Sequence, residues 1–236
     1  MPRTFADARQ WTAAGTELLL KAARCLDAVS LAAPSALPGW SRAHVAAHVA
    51  ANAEALSNLV RWAATGVPTP MYASPEERAA GIARGVALPA GELVGRLHST
   101  ARELEAGMAA LGEREWAAEV VTAQGRTVPA TEVPWLRARE VCVHAVDLAG
   151  GVTFADLPGG FLAALCDDIA AKRAAAPGPA VRLRSPGTGG TWELPGDGEP
   201  ALVTGGLPAL TAYLAGRGPG PLTADGTPAP ALGAWL

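Results

Sequence analysis

The chain has 236 residues, half of them apolar, 17% charged, and a formal net charge of −3. That length suits one large domain or two modest ones, and the slightly acidic balance without a basic stripe argues against a nucleic-acid partner. No stretch of about eighteen residues is both apolar and uncharged, so no transmembrane helix is expected.

The start, MPRTFADARQW, lacks the apolar core of a secretory signal. A first helix is predicted from about Phe5 to Val29, with Leu18, Leu19, Ala22, Cys25, Leu26 and Val29 at helical spacing. Pro34 to Pro38 breaks it, and Ser41 is a plausible N-cap for a second helix from about Arg42 to Thr65. The stripe of that helix is Val45, Val49, Asn52, Leu56 and Leu59, with His48 inside it. His44 and His48 form an i, i+4 pair that could seat a metal, but His44 points well away from the stripe's centre. His48 is therefore assigned to the interior and His44 to the edge, with a hydrogen-bonded core histidine as the plainer reading of His48.

Gly66 to Pro70 reads as a loop, and Ser74-Pro75-Glu76-Glu77 as the start of a short helix containing Arg78. Pro89 begins a longer helix to about Leu111, marked by Leu93, Leu97, Leu104, Met108 and Leu111, with His98 on its flank. Glu119 to Val128 reads as an extended turn segment that bends at Gln124-Gly125.

The stretch PWLRAREVCVHAVDLAGG, Pro134 to Gly151, carries the chemistry. Pro134 suits a first helical turn and Gly150-Gly151 a helix end. Val133, Leu136, Glu140, Val143, His144 and Asp147 share one face, so two carboxylates and an imidazole lie on an apolar stripe. Buried carboxylates are costly unless paired or bound to a metal. Glu140 and His144 stand one turn apart and can converge on one ion. A buried salt bridge or core histidine is the plainer account of the pair on its own. Joined to His48, however, the pair makes two histidines and one carboxylate with an open fourth position, the pattern of catalytic zinc. Asp147, near His144, could orient a ligand or act as a base. Cys142 lies nearly opposite Glu140 and reads as packing.

After Gly151 the composition shifts. A helix from about Pro158 to Ala176 precedes short alternating runs at 181–184, 191–194 and 201–204, and a further helix begins near Gly205 and ends by Gly218. The tail to Leu236 is Pro-rich and expected on the surface. The expected architecture is a mainly α four-helix bundle over residues 1–152 followed by a small α+β domain over residues 153–236. Cys25, Cys142 and Cys166 are odd in number and widely spaced, which fits reduced thiols in a cytoplasmic protein.

These residues also carry a resemblance. GWSRAHVAAHVAANAEAL, TPMYASPEERAAGI, VVTAQGRTVPATEVPWLRAREVCVHAVDL and the late YLAGRG resemble the mycothiol-dependent maleylpyruvate isomerase family, whose bundle is DinB-like. The resemblance spans nearly the whole chain. It implies zinc held by His48, Glu140 and His144, a functional role for Arg217, and supporting roles for Asp147 and Arg78.

It further implies a chemistry in which the nucleophile is borrowed. A small thiol, mycothiol, would bind the open metal position as thiolate and add to the cis double bond of maleylpyruvate. Rotation and elimination would release fumarylpyruvate and the thiol. Arg217 would meet one substrate carboxylate, since a planar guanidinium matches it in two-pronged fashion, and the active site is expected where the two domains meet. The expected partners are thus a small dicarboxylate and a thiol, acting on a monomer. A thiol S-transferase, a zinc hydrolase using Asp147 as base, and a zinc-stabilised binding module are the competing readings.

Overall fold

A computed structural model describes residues 3–233 and residue 235. The chain divides into two compact units, residues 4–152 and residues 153 onward together with Arg3.

The first unit is built from α1 (Phe5–Ala23), α2 (Ala28–Ala32), α3 (Arg42–Thr65), α4 (Pro75–Val86), α5 (Ala90–Ala109), α6 (Glu113–Trp116) and α7 (Val133–Asp147). The long helices α1, α3, α5 and α7 form the bundle: α1 packs on α7, α7 on α3, and α3 on α5. Ser41 and the Ser74 helix start act as the sequence suggests, and Thr4 adds a third cap. Thr4, Ser41 and Ser74 each accept a backbone N–H three residues on, which satisfies donors that a helix start leaves unpaired.

Two packing details position the site helix. Gly15 of α1 sits where a Cβ would come within 2.7 Å of Val141 Cγ2 and would also strike Cys142 Sγ, so only glycine admits this close approach to α7. The Cys142 thiol is buried there against the Trp11 carbonyl, and burial pushes its pKa up, as befits a packing residue. On the far side of α3, Gly85 of α4 lies against Ala47, where a Cβ would come within 2.7 Å of the alanine's own.

Three details depart from the sequence reading. The first helix ends at Ala23, not near Val29, so Cys25 is exposed instead of packed, and Val29 is 80% exposed. Asp27 caps the short α2 through Ser30 N, and this cap starts a new helix instead of continuing the old one. α7 stops at Asp147, and Ala149, not a glycine, adopts the left-handed conformation with φ 50°. Gly150 packs closely against α1 instead: a Cβ there would lie 3.2 Å from that of Ala22, which would have to yield slightly. The segment before α7 folds as predicted, with β1 (Glu119–Val121) and β2 (Thr127–Pro129) antiparallel and Gly125 at φ 76° in the bend.

The second unit contains α8 (Gly159–Arg173), β3 (Pro179–Ser185), β4 (Gly190–Leu194), β5 (Asp197–Thr204) and α9 (Leu207–Leu214). The sheet order is β4-β3-β5, with β4 antiparallel and β5 parallel to β3. The chain passes from one edge of β3 to the other in the two residues 195 and 196. Gly196 makes this possible, since a Cβ there would come within 2.6 Å of the Pro179 carbonyl carbon. α8 packs on β4 and α9, and Trp192 Nε1 donates to Asp167 Oδ1 at 2.6 Å. Most of the tail from residue 221 to 233 is exposed, as expected, but Trp235 is buried, and the tail is tied down: Tyr213 donates to the Pro230 carbonyl and Arg173 to that of Gly233. Residues 234 and 236 of the expected tail lie outside the described residues. No helix among the described residues is long and apolar enough to cross a membrane.

Candidate metal centre

α3 and α7 bring His48, Glu140 and His144 together. One donor atom from each lies within 4.8 Å of the others. His48 Nε2 is 2.9 Å from Glu140 Oε2, and His144 Nε2 is 3.4 Å from the same oxygen. The two imidazole rings stand edge to face, with centroids 4.9 Å apart at 89°. Four ligands placed tetrahedrally at zinc bond lengths of about 2.0–2.1 Å are separated by roughly 3.3 Å, close to the two contacts at Glu140 Oε2, while the widest separation in the cluster would contract on binding. The donor set, two imidazoles and one carboxylate, is the borderline-hard mix that zinc takes at open sites.

Each donor is oriented from behind. Asp147, with no exposed side-chain surface, accepts from His144 Nδ1 at 2.8 Å. This fixes the tautomer that points Nε2 at Glu140, the carboxylate–histidine arrangement that supports metal ligands. The Asp147 backbone carbonyl in turn accepts from Ala36 N at 2.9 Å, so the end of α7 is held by the loop after α2. His48 packs edge-on against Trp40, ring centroids 5.7 Å apart, and Arg78 Nη2 lies 3.5 Å from its Nδ1.

The electrostatics follow from burial and these partners. Burial opposes ionisation of Glu140, yet the hydrogen bonds and charge of His144 and His48 hold its carboxyl well below the usual range. Burial would also depress His144, but the Asp147 hydrogen bond and then Glu140 outweigh it and raise the imidazole to about 9. His48 is pushed down, chiefly by burial, with Glu140 only partly offsetting it. The centre therefore holds a charged carboxylate, one imidazole that favours its cation, and one that favours neutrality. Glu140, at 21% side-chain exposure, is the most open of the three.

His44 is excluded from the cluster for a visible reason. Its Nδ1 accepts from the backbone N–H of Ser41 and lies 2.7 Å from the Ser41 hydroxyl, closing a capping box at the start of α3. Arg78 is an exposed residue of α4 whose guanidinium lies over the Tyr72 ring at 5.9 Å. It lines a cavity of about 510 Å³ with Tyr72, Glu54, Asn58, Arg84 and Arg96. Arg217 belongs to the second unit. There α9 closes in a Schellman motif, with Gly216 N donating to Tyr213 O, Arg217 N to Ala212 O, and Gly216 at φ 66°. The half-buried Arg217 side chain donates to the Ala215 carbonyl at 2.8 Å, so a tight backbone turn sets its direction.

The family model for the mycothiol maleylpyruvate isomerase N-terminal domain matches residues 11–149. A crystal structure of the mycothiol-dependent maleylpyruvate isomerase is similar to the chain at 35% identity and a TM-score of 0.93, over 99% of this chain and 98% of that one. The chain belongs to the mycothiol-dependent maleylpyruvate isomerase family. A histidine-to-alanine mutant of a mycothiol-dependent maleylpyruvate isomerase is similar at 34% identity and a TM-score of 0.92, with the same coverage. No curated protein matches the sequence. The family model covers the bundle, and the two solved structures extend the similarity through the second unit.

Two residues beside this family's characteristic helices escape the sequence reading. Trp40, just before the Ser41 cap, walls His48 with ring centroids 5.7 Å apart. Arg137 is buried one turn before Glu140. Its signal was present: a guanidinium on the flank of an apolar stripe, opposite a helix whose own stripe holds Asn52.

Proposed function

We propose that the protein is a zinc- and mycothiol-dependent cis–trans isomerase that converts maleylpyruvate to fumarylpyruvate in gentisate-type aromatic degradation. The observation that carries this is the His48–Glu140–His144 cluster backed by Asp147, on a chain similar over nearly its whole length to a mycothiol-dependent maleylpyruvate isomerase.

When bound, zinc would supply a Lewis acid that favours the thiolate form of an external thiol whose free pKa is about 8.5. The chain's own residues do the rest. His48, Glu140 and His144 hold the metal, and Asp147 keeps the His144 Nδ1 proton in place so that Nε2 faces the centre. Asp147 is thus an orienting group here, and its lack of exposure argues against a base in a hydrolytic reaction. Arg78, between His48 and the polar cavity along α3 and α4, is assigned to the thiol cofactor. Arg217 is assigned to a carboxylate of the substrate, for which a guanidinium held by a fixed turn is suited.

None of the chain's thiols replaces the borrowed one. Cys142 and Cys166 are buried with raised pKa values, Cys166 to about 12, and Cys25 is exposed beyond the end of α1.

The test is to follow maleylpyruvate absorbance with zinc-loaded protein, with and without mycothiol, while counting free thiol. The isomerase consumes substrate only when the thiol is present and leaves the thiol total unchanged. Stoichiometric loss of thiol would make the protein an S-transferase, and turnover without thiol would end the proposal.

A further inference from the structure

Arg137 is 1% exposed inside the bundle, and its neighbours do not account for it as an ordinary stabilising residue. Its Nη1 donates to the Val49 carbonyl and to Asn52 Oδ1, each at 2.9 Å. Its Nη2 is buried without a hydrogen-bond partner. Among the described residues no carboxylate pairs with it directly, although the negative charge of Glu140 reaches it and partly offsets the burial that lowers its pKa to about 10. A buried guanidinium with an idle N–H is a net cost, and apolar side chains replacing such a group together with its polar partner commonly do as well or better for stability.

Its position suggests what that cost secures. Val49 follows His48, Asn52 lies one turn beyond His48, and Arg137 lies one turn before Glu140. Advancing along α3 from His48 to Asn52 therefore corresponds to stepping back along α7 from Glu140 to Arg137. The two helices run antiparallel here, and the Arg137 clamp is the rung next to the His48–Glu140 contact. Fastening one rung limits how far the next can open. Metal ligands must be placed to within about 0.2 Å.

We propose that Arg137 is a positioning residue for the metal centre, fixing the spacing of α3 and α7 by gripping α3 at Val49 and Asn52. The proposal rests on the reading of His48, Glu140 and His144 as metal ligands. It also makes a prediction opposite to that of a purely electrostatic role. A cation near the site repels zinc, so removing charge alone should tighten binding, whereas releasing the clamp should weaken it.

The experiment measures zinc affinity by competition with a chromophoric chelator, well below the melting temperature, in the parent, Arg137→Met, Asn52→Leu and the double variant. Melting of the metal-free proteins is followed in parallel. Each single variant is expected to lose zinc affinity by about 10- to 100-fold, the range seen when groups supporting metal ligands are removed. The double variant should lose no more than the worse single, because both break one clamp. The metal-free double variant, in which no buried partner is left unpaired, should melt at or above the parent temperature, so affinity and stability part company, whereas Arg137→Met alone strands Asn52 Oδ1 and should melt lower. Should Arg137→Met fail to fold, Asn52→Leu carries the same test. Folded variants that bind zinc as tightly as the parent, or more tightly, overturn the positioning role while leaving the ligand set intact. A parent that binds no zinc overturns the ligand set, and this proposal with it.

Discussion

Replacing Asp147 separates the orientation of His144 from its charge. Asp147 is fully buried and bonds His144 Nδ1 at 2.8 Å. In Asp147→Ala that N–H is left in the interior without its acceptor, at a cost of about 1–3 kcal/mol. The same figure expressed as metal affinity is roughly one to two powers of ten, in line with other groups that support metal-bound histidines. Asp147→Asn keeps a neutral acceptor of the same shape and should lose about tenfold, since a charge-assisted bond is about twice as strong as a neutral one. The pH dependence adds a second, independent reading. With its pKa raised to about 9, the metal-free His144 ring is cationic at neutral pH, and zinc must displace the Nε2 proton. Parent affinity should therefore fall about tenfold for each pH unit below about 9, as expected for one displaced proton. In Asp147→Asn the imidazole loses its main stabilising partner, so the break should move down towards the ordinary value of about 6.5. The sign of the stability effect matches. A raised pKa stabilises the metal-free fold fully below about pH 6.5, and this contribution disappears as pH rises through about 9. Chelator competition across pH 6 to 9.5 tests the reasoning. Equal affinity at pH 9.5 and an unmoved break in Asp147→Asn would show that Asp147 neither orients nor charges His144.

Four further outcomes are expected. Elemental analysis of purified protein should find about one zinc per chain, lost in His48→Ala, Glu140→Ala and His144→Ala but kept in His44→Ala, which removes only the reciprocal half of the Ser41 capping box and should lower the melting temperature slightly. Arg217→Ala should keep its zinc and reduce turnover by about two to three powers of ten, with Arg217→Lys recovering part, and near-normal kinetics would remove Arg217 from the reaction. A variant with all three cysteines changed to Ser or Ala should retain mycothiol-dependent activity, and in the parent an alkylating reagent should label Cys25 while Cys142 and Cys166 react only on unfolding. Gly15→Ala should destabilise the bundle by about 1–3 kcal/mol in denaturant titration, because its Cβ meets Val141 and Cys142 across the α1–α7 contact.

Much of this molecule is written in local sequence. α3 begins and ends where Ser41 and Gly66 direct, because a cap and a left-handed glycine act within a few residues. The inward direction of His48, Glu140, His144 and Asp147 follows from helical periodicity alone, which is why the cluster could be assembled before any coordinates. His44 was separable from His48 by the same angle, and its cap with Ser41 supplies the local reason. What periodicity cannot convey is how far apart two helices stand and what passes between them. The role of Gly15 and the clamp of Arg137 on Val49 and Asn52 depend on residues about 85 to 127 positions apart, and the Trp40 wall beside His48 on a ring's tilt that no pattern encodes. The end of α1 is not legible locally, because Leu26 and Val29 continue its spacing while Asp27 starts a competing helix, and only packing settles which prevails. The parallel placement of β5 on β3 was likewise beyond the alternation pattern. That pattern specifies a strand's two faces, whereas the partner at its edge is chosen by the route of the chain through Gly196.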